Sequence, residues 1–127
     1  MSSVSLSPGA ISVTSSAYAT VLQYPSAGYG SAAFSWEVAD QALASVKVQV
    51  KMGPDDEWDD LLVDADLEDG ANPLIIWGKA GSYNAAAAAR GKAAIRLPTC
   101  YAVRLLMKSA TGTASVTPHA TFATEGG

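Results

Sequence analysis

Apolar and polar residues alternate with a period of two over several short stretches of the chain, the spacing of half-buried strands. Phe34, Trp36 and Val38 fall on one side of an extended backbone, and Ala33, Ser35 and Glu37 fall on the other. Val46, Val48, Val50 and Met52 share a side opposite Lys47, Gln49 and Lys51. Further on, Tyr101, Val103, Leu105 and Met107 alternate with Ala102, Arg104, Leu106 and Lys108, which leaves apolar residues on both faces, as in an interior strand. A last run sets Ala114, Val116, Pro118, Ala120 and Phe122 against Thr113, Ser115, Thr117, His119 and Thr121. Pro118 has no N–H to give to a ladder, which predicts an edge or bulged strand there. Weaker strand signals lie at residues 11–14, 20–22, 74–77 and 95–97.

Turn chemistry separates these runs. Gly53-Pro54-Asp55-Asp56 predicts a tight turn, after which Trp58, Leu61, Leu62 and Val63 return toward the core. Residues 24–30 (Tyr-Pro-Ser-Ala-Gly-Tyr-Gly) predict an exposed loop, Ala71-Asn72-Pro73 a break, and Thr111-Gly112 a turn. Asn84 is placed to cap a short helical stretch over 85–90 that Gly91 would end. The expected fold is all-β: an antiparallel β-sandwich or jelly-roll-like fold with at most one short helix. Residues 1–9, Ser-rich and ending in Pro-Gly, read as a flexible arm, frayed or bound to a partner. Residues 10–123 read as one sandwich domain and 124–127 as a disordered tail. A one-residue slip would turn every apolar group of such strands outward, so the pattern also fixes register.

Composition narrows the function. The apolar fraction is 49% of 127 residues, but 24 residues are Ala. Few large side chains are left for a core, and burial against a partner would help such a chain. A formal net charge of −4 gives no overall electrostatic case for nucleic acid. No apolar run approaches the 18–20 residues that span a bilayer, and the first residues lack the basic and apolar regions of a signal peptide. With one His and one Cys, the chain has little material for a metal site or a nucleophile–base pair. We therefore expect no enzyme, no catalytic residues, no metal and no cofactor. Cys100 has no partner for a disulfide and reads as an inert buried thiol.

Nine of the twelve acidic residues lie within residues 55–69, and no Lys or Arg lies among them. Residues 64–70 (Asp-Ala-Asp-Leu-Glu-Asp-Gly) superficially suit a calcium loop, but that register would need Gly at 69 and Glu at 75, where the chain has Asp69 and Ile75. A solvated acidic loop is the favoured reading, with a looser cation site or docking onto a basic partner left open. These carboxylates are too contiguous to single out an acid–base pair for glycoside hydrolysis. His119, among threonines, reads as a surface side chain. Trp36 and Phe34 fit the core, and Trp58 and Trp77 are also assigned there. Tyr24, Tyr29 and Tyr83 stand in Gly/Ser-rich loops, where tyrosine makes low-entropy contacts. Together with Val4 and Leu6 of the arm they are the candidate interface residues.

Two segments carry a family resemblance. Residues 46–61 resemble the strand, acidic turn, Trp and Leu element of discoidin-like and fibronectin-like β-sandwiches. Residues 101–105, followed by Gly112-Thr113-Ala114-Ser115-Val116-Thr117, resemble the closing hairpin of small β-rich virion proteins of tailed bacteriophages. The resemblance implies a structural role in the virion, made in the host cytoplasm: capsid decoration or cementing, with the major capsid protein or another virion protein as partner. It brings no catalytic residues. A homo-dimer or homo-trimer is expected, with neither nucleic acid nor membrane as partner. The alternative is a receptor- or glycan-binding module of a phage tail that uses the loop aromatics.

Overall fold

The computed structural model describes residues 3–39, 43–63, 75–79 and 90–124. Their regular structure is all strand: β1 (Ser3–Leu6), β2 (Ile11–Thr14), β3 (Ala19–Tyr24), β4 (Ser31–Ala39), β5 (Leu43–Lys51), β6 (Trp58–Leu62), β7 (Ile75–Lys79), β8 (Arg90–Arg96), β9 (Ala102–Ser109) and β10 (Thr113–Ala123). They form two antiparallel sheets. One has the order β1-β10-β4-β8-β7, with β2 also paired to β10, and the other has the order β3-β9-β5-β6. The two sheets pack face to face as a β-sandwich.

The period-two pattern explains the core. Phe34, Trp36 and Val38 of β4, with Ala114, Val116, Ala120 and Phe122 of β10, meet Val46, Val48 and Val50 of β5 and Val103, Leu105 and Met107 of β9. Trp36, the largest buried side chain, lies over Gly91, its register partner on β8. A Cβ at position 91 would stand 2.3 Å from the indole, so glycine is the residue that lets the ring lie flat on the sheet.

Several expectations are corrected. Arg90 and Gly91 belong to strand β8 and not to a helix end, while residues 84–89 of the expected helix lie outside the described residues. The segment resembling a closing hairpin is not a hairpin. β9 pairs with β3 and β5, whereas β10 pairs with β4, β1 and β2, so the turn at Gly112 carries the chain from one sheet to the other. Alternation cannot distinguish these cases, because each strand has an inward row in either. The corner is tied by the buried Ser109, whose Oγ donates to the carbonyls of Thr111 and Gly112 at 2.8 and 2.9 Å.

β10 is interior despite Pro118. The accommodation lies in the neighbouring edge, which breaks opposite the proline: Leu6 faces Ala120 and Ile11 faces Val116. The edge thus takes five steps (6 to 11) against four on β10 (120 to 116), a one-residue bulge carried by Ser7-Pro8-Gly9-Ala10, with Gly9 at φ 92°. Residues 3–6 of the expected arm are therefore β1, the first half of this edge. Met52 is exposed beyond the end of β5, Tyr101 is exposed before β9 begins, and Val63 is exposed after β6. Trp58 leaves the core altogether and lies half-buried on an outer face.

Candidate functional site

The outer face of the β3-β9-β5-β6 sheet is built from the polar rows of β5 and β9. Register places Lys51 beside Ala102 and Trp58, Gln49 beside Arg104 and Asp60, Lys47 beside Leu106, and Ser45 beside Lys108. Each of four successive outward rows therefore carries one cation, over roughly 20 Å of strand. Aromatic rings stand at both ends of this stripe. The Arg104 guanidinium lies 4.3 Å and Lys51 Nζ 5.8 Å from the Trp58 ring centroid. Lys47 Nζ and Lys108 Nζ stand 4.2 and 5.7 Å from that of Tyr18, whose hydroxyl bonds Ser45.

Gln49 joins the two ends. Its Oε1 accepts from Arg104 Nε at 2.8 Å and Nη2 at 2.6 Å, and its Nε2 donates to Asp60 Oδ1 at 2.8 Å. Asp60 also pairs with Lys47 at 3.4 Å. Gln49's donation, with the Lys47 charge adding to it, holds the Asp60 carboxyl below its ordinary range against the opposing effect of partial burial. Burial lowers Arg104 from the ordinary arginine value, which leaves it charged at neutral pH.

The second locus is the corner where the edges β1 and β3 meet. Tyr24 stacks on Phe122 at 5.0 Å, and Tyr29 lies 6.0 Å from Tyr24 and 6.2 Å from Phe122. Val4 faces Phe122 in register. Burial, with Tyr29's hydrogen bond and charge adding to it, raises the Tyr24 phenol above its ordinary value. Leu6 lines a cleft of about 350 Å3 with Pro8, Val21 and Leu22, apolar side chains left between the two sheet edges. A shallow groove of about 540 Å3 follows the adjoining end of the sandwich, lined by Tyr29, Arg96, Leu97 and Thr99 among others. The loop above it is pinned rather than loose: Ser26 is buried, its N–H donates to the Tyr101 carbonyl at 3.0 Å, and its Oγ lies 3.2 Å from the buried Cys100 Sγ.

With the sandwich in place, comparison with solved structures finds a match along nearly the whole chain. A chain of the cyanophage Pam1 capsid asymmetric unit superposes with a TM-score of 0.50 at 16% identity, covering 96% of this chain and 84% of that one. The fold is shared with a phage capsid chain. The SPBc2 prophage-derived protein YomS matches with a TM-score of 0.47 at 10% identity, covering 94% of this chain and 93% of that one. A chain of infectious bursal disease virus, Gx strain, matches with a TM-score of 0.47 at 9% identity, covering 98% and 33%. No protein-family model matches the sequence, and no curated protein matches it. The resemblance to small β-rich phage proteins is thus found again at the level of fold.

Of the candidate interface residues, the structure gathers Val4, Tyr24 and Tyr29 around Phe122 and sets Leu6 next along the same edge; Tyr83 lies outside the described residues. The cation stripe was missed as a unit. Lys47, Lys51, Arg104 and Lys108 were legible as outward positions on two strands, but only the β5–β9 register interleaves them. Ser7 Oγ meets His119 Nδ1 at 3.0 Å across the edge bulge. Both are exposed, and no carboxylate orients the ring among the described residues, so the contact ties the edge to β10 without forming an acid–base relay. Among the described residues no cluster of His, Cys, Asp or Glu is arranged to hold a metal, and the acidic residues 64–69 lie outside them.

Proposed function

We propose that this chain is a non-enzymatic structural protein of a bacteriophage virion, which binds the outside of the shell as a decoration or cement protein and acts there as a homo-oligomer. The observation that carries the reading is the extent of the fold match: 96% of this chain corresponds to 84% of a chain found in a capsid asymmetric unit. The low charged fraction of 16% and the many small side chains agree with a protein stabilised by what it is packed against.

In this reading the shell contact is the corner of Val4, Leu6, Tyr24 and Tyr29. Its side chains are half-buried in the free chain and rest on a rigid aromatic cluster, so docking costs little ordering. The β1-β2 edge offers backbone groups beside them, and its bulge keeps the free chain from pairing edge to edge. The test is sedimentation with purified capsids. The protein should pellet with shells at about micromolar concentration, and Leu6→Lys should weaken pelleting about tenfold while melting stays cooperative. A protein that stays in the supernatant yet binds cells or a glycan array would overturn this reading in favour of a receptor- or glycan-binding module.

A further inference from the structure

We infer that the cation stripe of the β3-β9-β5-β6 sheet is the docking surface for the acidic β5–β6 turn of a second copy of this chain. The inference rests on the homo-oligomeric part of the proposed function and specifies its contact. The stripe is an excess of charge in an acidic protein: Lys47, Lys51, Arg104 and Lys108 are half of the chain's eight basic residues, and Asp60 is the one carboxylate engaged with them among the described residues. Lys51, Arg104 and Lys108 face no carboxylate there. Arg104 is held by Gln49 and lies over the Trp58 ring, while Lys51 and Lys108 stand 5.8 and 5.7 Å from the Trp58 and Tyr18 ring centroids.

An anion that fits must be multivalent and project far enough to lie along a strand face. The chain makes such a group itself. Asp55, Asp56 and Glu57 are exposed on the turn after β5, which Asp56 N–H closes onto the Gly53 carbonyl at 3.2 Å, and they carry no ion pair among the described residues. The turn stands at the Lys51 end of its own stripe, away from the Lys47 and Lys108 end.

Charge also limits the geometry. Stacking two copies with their stripes in register would lay cation against cation along the four rows, and like charges so juxtaposed repel. Turn on stripe avoids this: made reciprocally about a two-fold axis it closes as a dimer, and repeated head to tail it closes as a ring. Both oligomers expected from the sequence, the dimer and the trimer, can be built from this contact.

Light scattering and sedimentation velocity on the full chain test this. At about 50 mM salt the wild type should have the mass of a dimer or trimer, and at about 500 mM, where exposed charges are screened, it should fall to the monomer. Lys51→Glu/Lys108→Glu and, separately, Asp55→Lys/Asp56→Lys should each be monomeric at low salt with unchanged melting. Mixed one to one, the two should associate, because each then offers the other a complementary contact; an even assembly alternates them fully, whereas a three-membered ring leaves one like pair and stays open. If the first pair lowers the melting temperature, Lys51→Gln/Lys108→Gln replaces it and should raise the dissociation constant at least tenfold. A wild-type monomer at low salt, assembly insensitive to both reversals, or a mixture that stays monomeric would each overturn the inference. Shell sedimentation of the same variants separates the two readings. A wild type that is monomeric yet pellets with capsids sinks only the turn-on-stripe contact, and a wild-type oligomer that stays in the supernatant sinks only the shell contact.

Discussion

On the outer face of the β10 sheet, Ser115, Thr117, His119 and Thr121 of β10 stand beside Ala39, Glu37, Ser35 and Ala33 of β4, with Ser5 of β1 and Ser12 of β2 along the edge and Lys92 and Arg96 of β8 beside Ser35 and Ser31. Along its edge Ser5 meets Thr121 at 3.1 Å and Ser7 meets His119 at 3.0 Å. On the opposite face, long side chains reach across three strands, and Arg104, Gln49, Asp60, Lys47, Trp58 and Tyr18 hold one another. Both faces cover the same core and both are read by alternation as polar. The difference is that the hydroxyl rows of β10 and its β1-β2 edge cost little to order and hold little in place, whereas on the β5-β9 face Arg104, Gln49, Asp60 and Lys47 hold one another before any partner arrives. Fixed charge of that kind sets the register of a contact more than its strength.

The comparison assumes that the two faces rest on one shared interior, and the sharpest way to break it is through Gly91. Gly91→Ala puts a Cβ within 2.4 Å of Trp36 ring atoms, where the ring is buried among β4, β8 and the opposing sheet and cannot swing out. We expect a loss of about 3 kcal/mol in urea unfolding, with both faces lost in a single transition. Two transitions would mean that the sheets are stabilised separately.

The next effect separates the faces. Arg104→Ala removes two hydrogen bonds to Gln49 and the cation over Trp58, and strips aliphatic cover from a half-buried ring. It should cost about 1.5 kcal/mol. Ser35→Ala, on the hydroxyl face, should change stability by less than about 0.5 kcal/mol. Equal losses in denaturant titrations would show that the charged face is no better ordered than the other.

How far each face was legible follows from what alternation carries. Val46, Val48 and Val50, or Phe34, Trp36 and Val38, declare their side by period alone, and all six are buried. Alternation is silent on which strand lies beside which. The β9–β10 turn therefore passed for a hairpin, although Ser109 ties it into an inter-sheet corner. Trp58 was misassigned because an apolar ring after a turn suits a core, and only the pairing of Lys51 with Trp58 beside β9 shows that guanidinium and ammonium groups cover it. The corner tyrosines were found through loop composition, but their common anchor, Phe122, comes from a strand nearly a hundred residues away in sequence.

The smallest effect isolates one contact of the charged face by pH. Gln49 donates to Asp60 and Lys47 pairs with it, and together they hold its folded pKa below the ordinary value. A carboxyl so lowered contributes stability that is fully present above the unfolded value, near pH 4, and is lost as pH falls through the lower folded value. Asp60→Asn has no such charge to lose. Above about pH 5 the variant should melt about 2 °C below the parent, the scale of a partly exposed pair. Below about pH 3 the two melting temperatures should converge. The rest of the sequence is the same in both proteins, so its pH dependence cancels in the difference. An offset that stays constant from pH 7 to pH 2.5 would mean that Asp60 acts through its shape in the Gln49 lattice and not through its charge.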